Sequence, residues 1–306
     1  MLKNTSKVAV TSRSFSRHPF LRQELLSRYE SVTFNEEGEQ LFDDELAMFL
    51  AGHEKAIVAL EKIDETLLKK LPELKIISKF GVGLDSIELS AIKKYKVHLS
   101  YTKGVNKRSV SELALLLILS LLRNAFSLNL KLKKGKWEQK KGNCLTGKKV
   151  GIIGCGQIGK DLISLLAPFG CQIAYYDLQK DLELHDKIQF LSLEDLLMIS
   201  DIVSLHLPLC EFTKNILSEK HLAMMKPSAI LINTSRGGLV DEHALKKRLK
   251  LGLLAGAAFD VFGVEPPCDE ELLNLQNFLA TPHIGGSTEE AILAMGQAAI
   301  QGLDLK

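Results

Sequence analysis

Three side chains of different chemistry, Arg236, Glu265 and His283, each follow an apolar run of strand character: Ala229-Ile230-Leu231-Ile232-Asn233, Gly256-Ala257-Ala258-Phe259-Asp260 and Phe278-Leu279-Ala280. Together they suit the oxidation or reduction of a 2-hydroxy acid. In the oxidative direction a base takes the hydroxyl proton while hydride leaves the same carbon, and a cation holds the carboxylate. His283 is the natural acid/base group. A neighbouring carboxylate raises a histidine pKa and orients its ring, the part assigned to Glu265. Arg236 offers planar donors that grip a carboxylate with two bonds, which a lysine cannot do. His283 also stands between Pro282 and Gly285-Gly286, where backbone is expected to pass close to a ligand.

A hydride needs an acceptor, and the middle of the chain supplies a site for one. Val150-Gly151-Ile152-Ile153 reads as a strand, and Gly154-Cys155-Gly156-Gln157-Ile158-Gly159 as a glycine turn opening a helix. Gly154 permits the tight turn, Gly156 lets backbone approach a pyrophosphate, and Gly159 lets the helix pack on its strand. The helix N-terminus at Gln157 and Ile158 then faces the phosphates. A second strand, Cys171-Gln172-Ile173-Ala174-Tyr175-Tyr176, ends in Asp177, placed to hydrogen-bond the adenosine ribose. An acid there favours NAD, because a 2′-phosphate would meet like charge and no arginine follows at once.

Strand and helix patterns alternate throughout, which predicts an α/β protein of two doubly wound parallel-sheet domains, the larger a Rossmann domain. Residues 1–103, completed by 284–306, are expected to form a substrate domain, with strands in 8–11, 56–59, 74–78 and 97–100 and helices over 65–70 and 87–94. Residues 104–283 form the NAD-binding domain, with the substrate expected between the two. The first crossover falls in 104–108, a single long helix over 109–130 is expected to pack on its own core and on a second subunit, and 287–305 is helical in pattern. In such sheets ligands bind beyond the carboxyl ends of the strands. Leu207, Pro208, Thr213, Thr234, Ser235, Asp260, His283, Gly285 and Gly286 therefore join the fingerprint residues as cofactor contacts.

Composition excludes several classes. The chain has 306 residues, 46% hydrophobic and 25% charged, with a net charge of +2, so no global basic field points to nucleic acid. The apolar stretch 113–122 is too short to span a bilayer, and residues 1–7 lack a signal-peptide pattern. Five scattered cysteines without Cys-x-x-Cys pairing argue for reduced thiols, no metal site and a cytoplasmic location.

Lys79-Phe80-Gly81-Val82-Gly83-Leu84-Asp85, the stretch from Asn106 through Arg108-Ser109-Val110 to Glu112, the fingerprint, Leu207-Pro208, Asn233-Thr234-Ser235-Arg236-Gly237-Gly238, the run around Asp260 and Thr281-Pro282-His283 resemble the D-isomer-specific 2-hydroxyacid dehydrogenases. The resemblance covers nearly the whole chain. It implies catalytic roles for Arg236, Glu265 and His283, a place for Asp260 near the nicotinamide, and substrate contacts from Val82, Gly83 and Asn106. It also implies NAD as cofactor, a small anionic 2-hydroxy or 2-keto acid as substrate, and a homodimer. D-3-phosphoglycerate, and with it serine biosynthesis, is the first expectation for the substrate. Glyoxylate, hydroxypyruvate or another short 2-keto acid is the next, and an NAD-sensing binding protein of corepressor type is the reading from another class. Lys79, Lys103, Lys107, Arg108, Arg13 and Arg17 are either solvated surface charge or, in part, a site for a second anionic group such as a phosphate. Two positions depart from the family pattern, Lys103 for a common proline and Cys210 for a frequent threonine. With the sequence ending at Lys306, feedback through an appended regulatory domain is not expected.

Overall fold

The computed structural model describes residues 3–181, 184 and 188–304. The chain divides into two compact units, one formed up to Asn106 and from Gly286 onward, the other by Lys107–Gly285. The divisions at 106/107 and 285/286 lie a few residues beyond the expected 103/104 and 283/284.

The first unit is built on β1 (Asn4–Val10), β2 (Tyr29–Phe34), β3 (Lys55–Val58), β4 (Ile76–Lys79) and β5 (His98–Ser100), all parallel, in the order β2-β1-β3-β4-β5. Alternate residues feed opposite faces: Ala9, Ala56, Val58 and Ile77 enter one apolar core, Val8, Val10 and Ile57 the other. The strand β2 is absent from the sequence expectation. It is an edge strand whose middle residues are polar or half-exposed, with only Tyr29 and Phe34 buried, so no apolar run marks it. The Glu289–Gly302 helix covers this unit, its first turn capped by Thr288, whose hydroxyl accepts from the Ala291 amide at 3.2 Å. A methyl group at Gly296 would stand 2.2 Å from Leu21, which shows how closely that helix lies on its neighbour. Of the span expected to be helical, Leu305 lies outside the described residues.

The second unit carries β6 (Lys149–Ile153), β7 (Gln172–Tyr176), β8 (Gln189–Phe190), β9 (Ile202–Leu205), β10 (Ile230–Asn233), β11 (Gly256–Phe259) and β12 (Phe278–Ala280). They form one parallel sheet ordered β12-β11-β10-β9-β6-β7-β8. The order reverses at β6, so β6 and β9 flank the topological switch point where doubly wound sheets bind dinucleotides. Every residue of β9, β10 and β11 is buried, the mark of a parallel sheet covered on both faces. Val203, Leu205, Leu231, Ala257 and Phe259 pack on one side, and Ile202, Ile230, Ile232 and Ala258 on the other.

The long helix expected over 109–130 is two helices. Lys107–Arg123 buries Ala114, Leu117, Ile118 and Leu122 against Ile230, Ile232 and Ala258, a stripe of helical period. Asn124 then adopts a left-handed conformation (φ 54°), and Ala125–Lys133 continues at a bend of 66°. Asparagine tolerates that conformation, so one residue ends the first helix. Among the described residues no single helix is long and apolar enough to cross a membrane.

Candidate active site

The fingerprint folds as its glycines require. Gly154 has φ 93°, and a methyl group there would lie 2.6 Å from the His206 carbonyl at the end of β9. At Gly159 it would lie 2.2 Å from the Gly154 carbonyl, which locks helix to turn. Around Gly156 nothing comes within 4 Å of a methyl, so backbone there is open to a ligand. The Gln157–Leu166 helix has no side-chain cap, leaving its first amides, at Gln157, Ile158 and Gly159, facing an anion site. Asp177, just after β7, accepts the Cys155 amide at 2.7 Å on one oxygen and the Leu178 amide at 2.7 Å on the other. Each oxygen keeps a lone pair for a ribose hydroxyl. Open backbone, uncapped helix and aligned carboxylate fit a dinucleotide.

Three adjacent strands deliver the reactive groups. Asn233, Phe259 and Ala280 are level in the ladder, and Arg236, Glu265 and His283 follow in the loops beyond them. His283 Nδ1 lies 2.7 Å from Glu265 Oε2. An ionised carboxylate only accepts, so Nδ1 carries the hydrogen and Nε2 is left to exchange a proton. The hydrogen bond to Glu265 raises the His283 pKa above its ordinary value against the opposing pull of burial; the charges of Glu265 and Asp260 assist and that of Arg236 opposes. Burial pushes the Glu265 carboxyl upward, but the bond from His283 and the Phe262 amide, which donates to Oε1 at 3.0 Å, outweigh it, so the group stays below the usual carboxylate range. Arg236 donates to the Ser235 carbonyl at 2.6 Å, and its charge is felt by both partners of the pair.

The His283 backbone is held in the left-handed region, φ 52°, uncommon for a residue with a side chain. Asp260, 1% exposed, holds it there: Thr281 Oγ1 donates to Oδ1 at 2.5 Å, the Ile284 amide to Oδ1 at 2.8 Å and the Gly285 amide to Oδ2 at 2.8 Å. The acid that the family pattern places near the nicotinamide thus spends both oxygens on the His283 loop. Sequence reading missed Asn233, whose buried side-chain oxygen accepts the Ser235 amide and whose side-chain nitrogen donates to the Arg236 carbonyl. Its position just before Thr234-Ser235 is the signal, since asparagine bonds the backbone two residues on.

The remaining cofactor candidates line the same strand ends. Ser235 donates to the Leu207 carbonyl at 2.5 Å, joining the loops after β9 and β10, and Thr213 closes its own turn by donating to the Pro208 carbonyl at 2.7 Å. Thr234 Oγ1 is buried without a partner among the described residues. His206, which precedes Leu207, is buried and pushed down to about 3, so it stays neutral; its Nε2 meets Ser204 at 2.8 Å. The other unit carries Lys79, Val82, Gly83, Asn106 and Gly286. There Lys79 ends β4 with 5% exposure, its ammonium bonded to the Ala59 carbonyl, and Val82 and Gly83 follow in a loop. Asn106 Nδ2 would stand 3.3 Å from a methyl at Gly286, while its Oδ1 is buried without a partner among the described residues.

The Lys107–Gly285 unit is a doubly wound dinucleotide-binding domain with a hydrogen-bonded histidine–glutamate pair at its strand ends, as suits the class of nicotinamide-dependent oxidoreductases. Residues 115–285 match the sequence model of the D-isomer specific 2-hydroxyacid dehydrogenase NAD binding domain. A glyoxylate reductase of Thermococcus litoralis is 39% identical over 261 residues, 81% of this chain and 79% of the relative. A hydroxypyruvate reductase of Thermotoga maritima is 39% identical over 264 residues, 84% and 86% of the two chains. A D-3-phosphoglycerate dehydrogenase of Methanocaldococcus jannaschii is 38% identical over 240 residues, 77% of this chain and 46% of the longer relative. Among solved structures, a glyoxylate reductase from Paecilomyes thermophila superposes with a TM-score of 0.87 at 26% identity, covering 98% of this chain and 94% of that one. The chain belongs to the D-isomer-specific 2-hydroxyacid dehydrogenase family, and it is an NAD-dependent oxidoreductase of 2-hydroxy and 2-keto acids.

Proposed function

We propose that the chain reduces a short, unphosphorylated 2-keto acid, glyoxylate or hydroxypyruvate, with NADH. The observation that carries the chemistry is the 2.7 Å bond between His283 and Glu265 beside Arg236 on neighbouring strand ends. Gly156, the first amides of the Gln157–Leu166 helix and Asp177 hold the dinucleotide, with Leu207, Pro208, Thr234 and Ser235 lining its path. When bound, its nicotinamide supplies the hydride that reaches C2 of the keto acid. Arg236 holds the carboxylate and polarises the keto group, and protonated His283 passes its Nε2 proton to the carbonyl oxygen as that oxygen gains charge. Glu265 keeps the ring oriented and the imidazolium favoured.

The substrate choice rests on two supports. Relatives named for glyoxylate and hydroxypyruvate are each 39% identical, beside 38% for the one named for phosphoglycerate. Of the cations that could grip a phosphate, Lys79 is buried with its ammonium on the Ala59 carbonyl, and Arg108 is paired with Asp161 at 3.0 Å. D-3-phosphoglycerate, the first expectation, stands second in this reading. The test is NADH consumption with glyoxylate, hydroxypyruvate and 3-phosphohydroxypyruvate at equal concentration. The proposal expects the first two to dominate kcat/KM; a clear preference for the phosphorylated acid overturns it. The proposal includes a homodimer, supported by the apolar surface of the Ala125–Lys133 helix, which buries none of its residues within the chain.

A further inference from the structure

We propose that the first turn of the Lys107–Arg123 helix is a positioning clamp that fixes the His283 loop to the dinucleotide-binding helix, with Ser109, Ser111 and Asp161 as its working residues. The inference rests on the reading of His283 as the acid/base group. On one side, the Ser109 hydroxyl donates to the Gly285 carbonyl at 2.6 Å, a buried bond between residues 176 apart in sequence. The Gly285 amide in turn donates to Asp260, the carboxylate that also takes Thr281 and Ile284 and so holds His283 at its positive φ. Gly285 is tightly enclosed: a methyl would stand 3.0 Å from Asp260 Oδ2 and 3.5 Å from Val110.

On the other side of the same turn, Ser111 donates to Asp161 Oδ2, and Arg108 meets Asp161 Oδ1 at 3.0 Å. Asp161 lies on the Gln157–Leu166 helix, and its side chain is only 8% exposed. Two apolar helices could pack at several registers. A buried carboxylate taking a hydroxyl and a guanidinium is satisfied at one, because the alternative is an unpaired charge out of water. Ser109 and Ser111 are two residues apart, so one rigid turn sets both the amides that face the pyrophosphate and the loop that presents His283. Lys107 and Gly285 are also where the chain enters and leaves this unit, so the Ser109 bond ties the two crossings together. None of the three working residues belongs to the reacting set; they are positioning residues, and this gives the stretch after Asn106 a role in the reaction.

The experiment uses the full chain with NADH and glyoxylate. Ser109→Ala is expected to lower kcat about 10- to 100-fold, the scale of a misplaced reacting group. It should also move the alkaline fall of the reduction rate to lower pH as His283 slackens against Glu265, with the Kd for NADH held within about twofold. Ser109→Thr should restore most of kcat. Gly285→Ala, which crowds Asp260 instead of removing a donor, should give the same pH displacement. Ser111→Ala should weaken NADH binding about tenfold, since a bond to a charged group is lost. A Ser109→Ala protein that melts lower yet keeps kcat and its pH profile overturns the clamp, as does unchanged NADH affinity in Ser111→Ala. His283→Ala separates the two readings: if it is inactive while Ser109→Ala is normal, only the clamp falls, and if it turns over, both do.

Discussion

His283 depends on its backbone as much as on its ring. A left-handed residue after Pro282, in a loop held by three bonds to one buried carboxylate, aims the imidazole at Glu265. The placement of Arg236, Glu265 and His283 was legible in the sequence because each follows an apolar strand run, and the structure sets those strand ends side by side. The bonds that hold them were not, because Ser109–Gly285 and Ser111–Asp161 join residues 176 and 50 apart and no local pattern announces such pairs. Lys79 shows the converse: a lysine before a glycine loop reads as a substrate contact, yet it is buried on the Ala59 carbonyl. At this scale Asp177 gives a direct prediction. NADH should be used far better than NADPH, and Asp177→Ala should narrow the gap by removing the charge that a 2′-phosphate would meet. Equal wild-type kcat/KM for the two cofactors contradicts the assignment.

The element that carries the cofactor is a strand, a turn and a helix whose glycines divide the labour. Gly159 has backbone 2.2 Å from a would-be methyl, whereas Gly156, at φ −75°, has nothing near. Gly159→Ala should therefore destabilise the fold by about 1–3 kcal/mol through overpacking. Gly156→Ala should melt like wild type yet lose NADH affinity, because only the ligand meets its methyl. Matching thermal melts and NADH titrations of the two variants check this; equal behaviour contradicts it. The helix break at Asn124 was not legible, since apolar residues continue at helical spacing on both sides of it. Past the break, Phe126, Leu130, Leu132 and Trp137 are 42–80% exposed, an apolar surface that the proposed second subunit would cover. Light scattering should give twice the chain mass at micromolar concentration, and a monomer there removes the dimer.

Across the whole molecule, alternation of strands and helices was enough to read two parallel α/β units, because buried parallel strands write continuous apolar runs such as Ile230-Leu231-Ile232. The edge strands β2 and β8 escaped, being polar or only two residues long. Every side chain assigned to acid, orientation and carboxylate binding belongs to Lys107–Gly285. NADH alone should therefore slow hydrogen exchange chiefly within that unit, first around 150–160 and 174–178; protection confined to the other unit would contradict the site. In the proposed reaction Glu265 sustains the proton that His283 delivers, and the pH profile of NADH-dependent keto acid reduction reads this out. Because the His283 pKa is raised by Glu265, wild-type turnover should persist to higher pH than an ordinary histidine would allow and fall as pH rises through that pKa. In Glu265→Gln the lost carboxylate no longer favours the imidazolium, so the fall should come at lower pH with part of the activity retained; an alkaline limb that stays where it was would contradict the account.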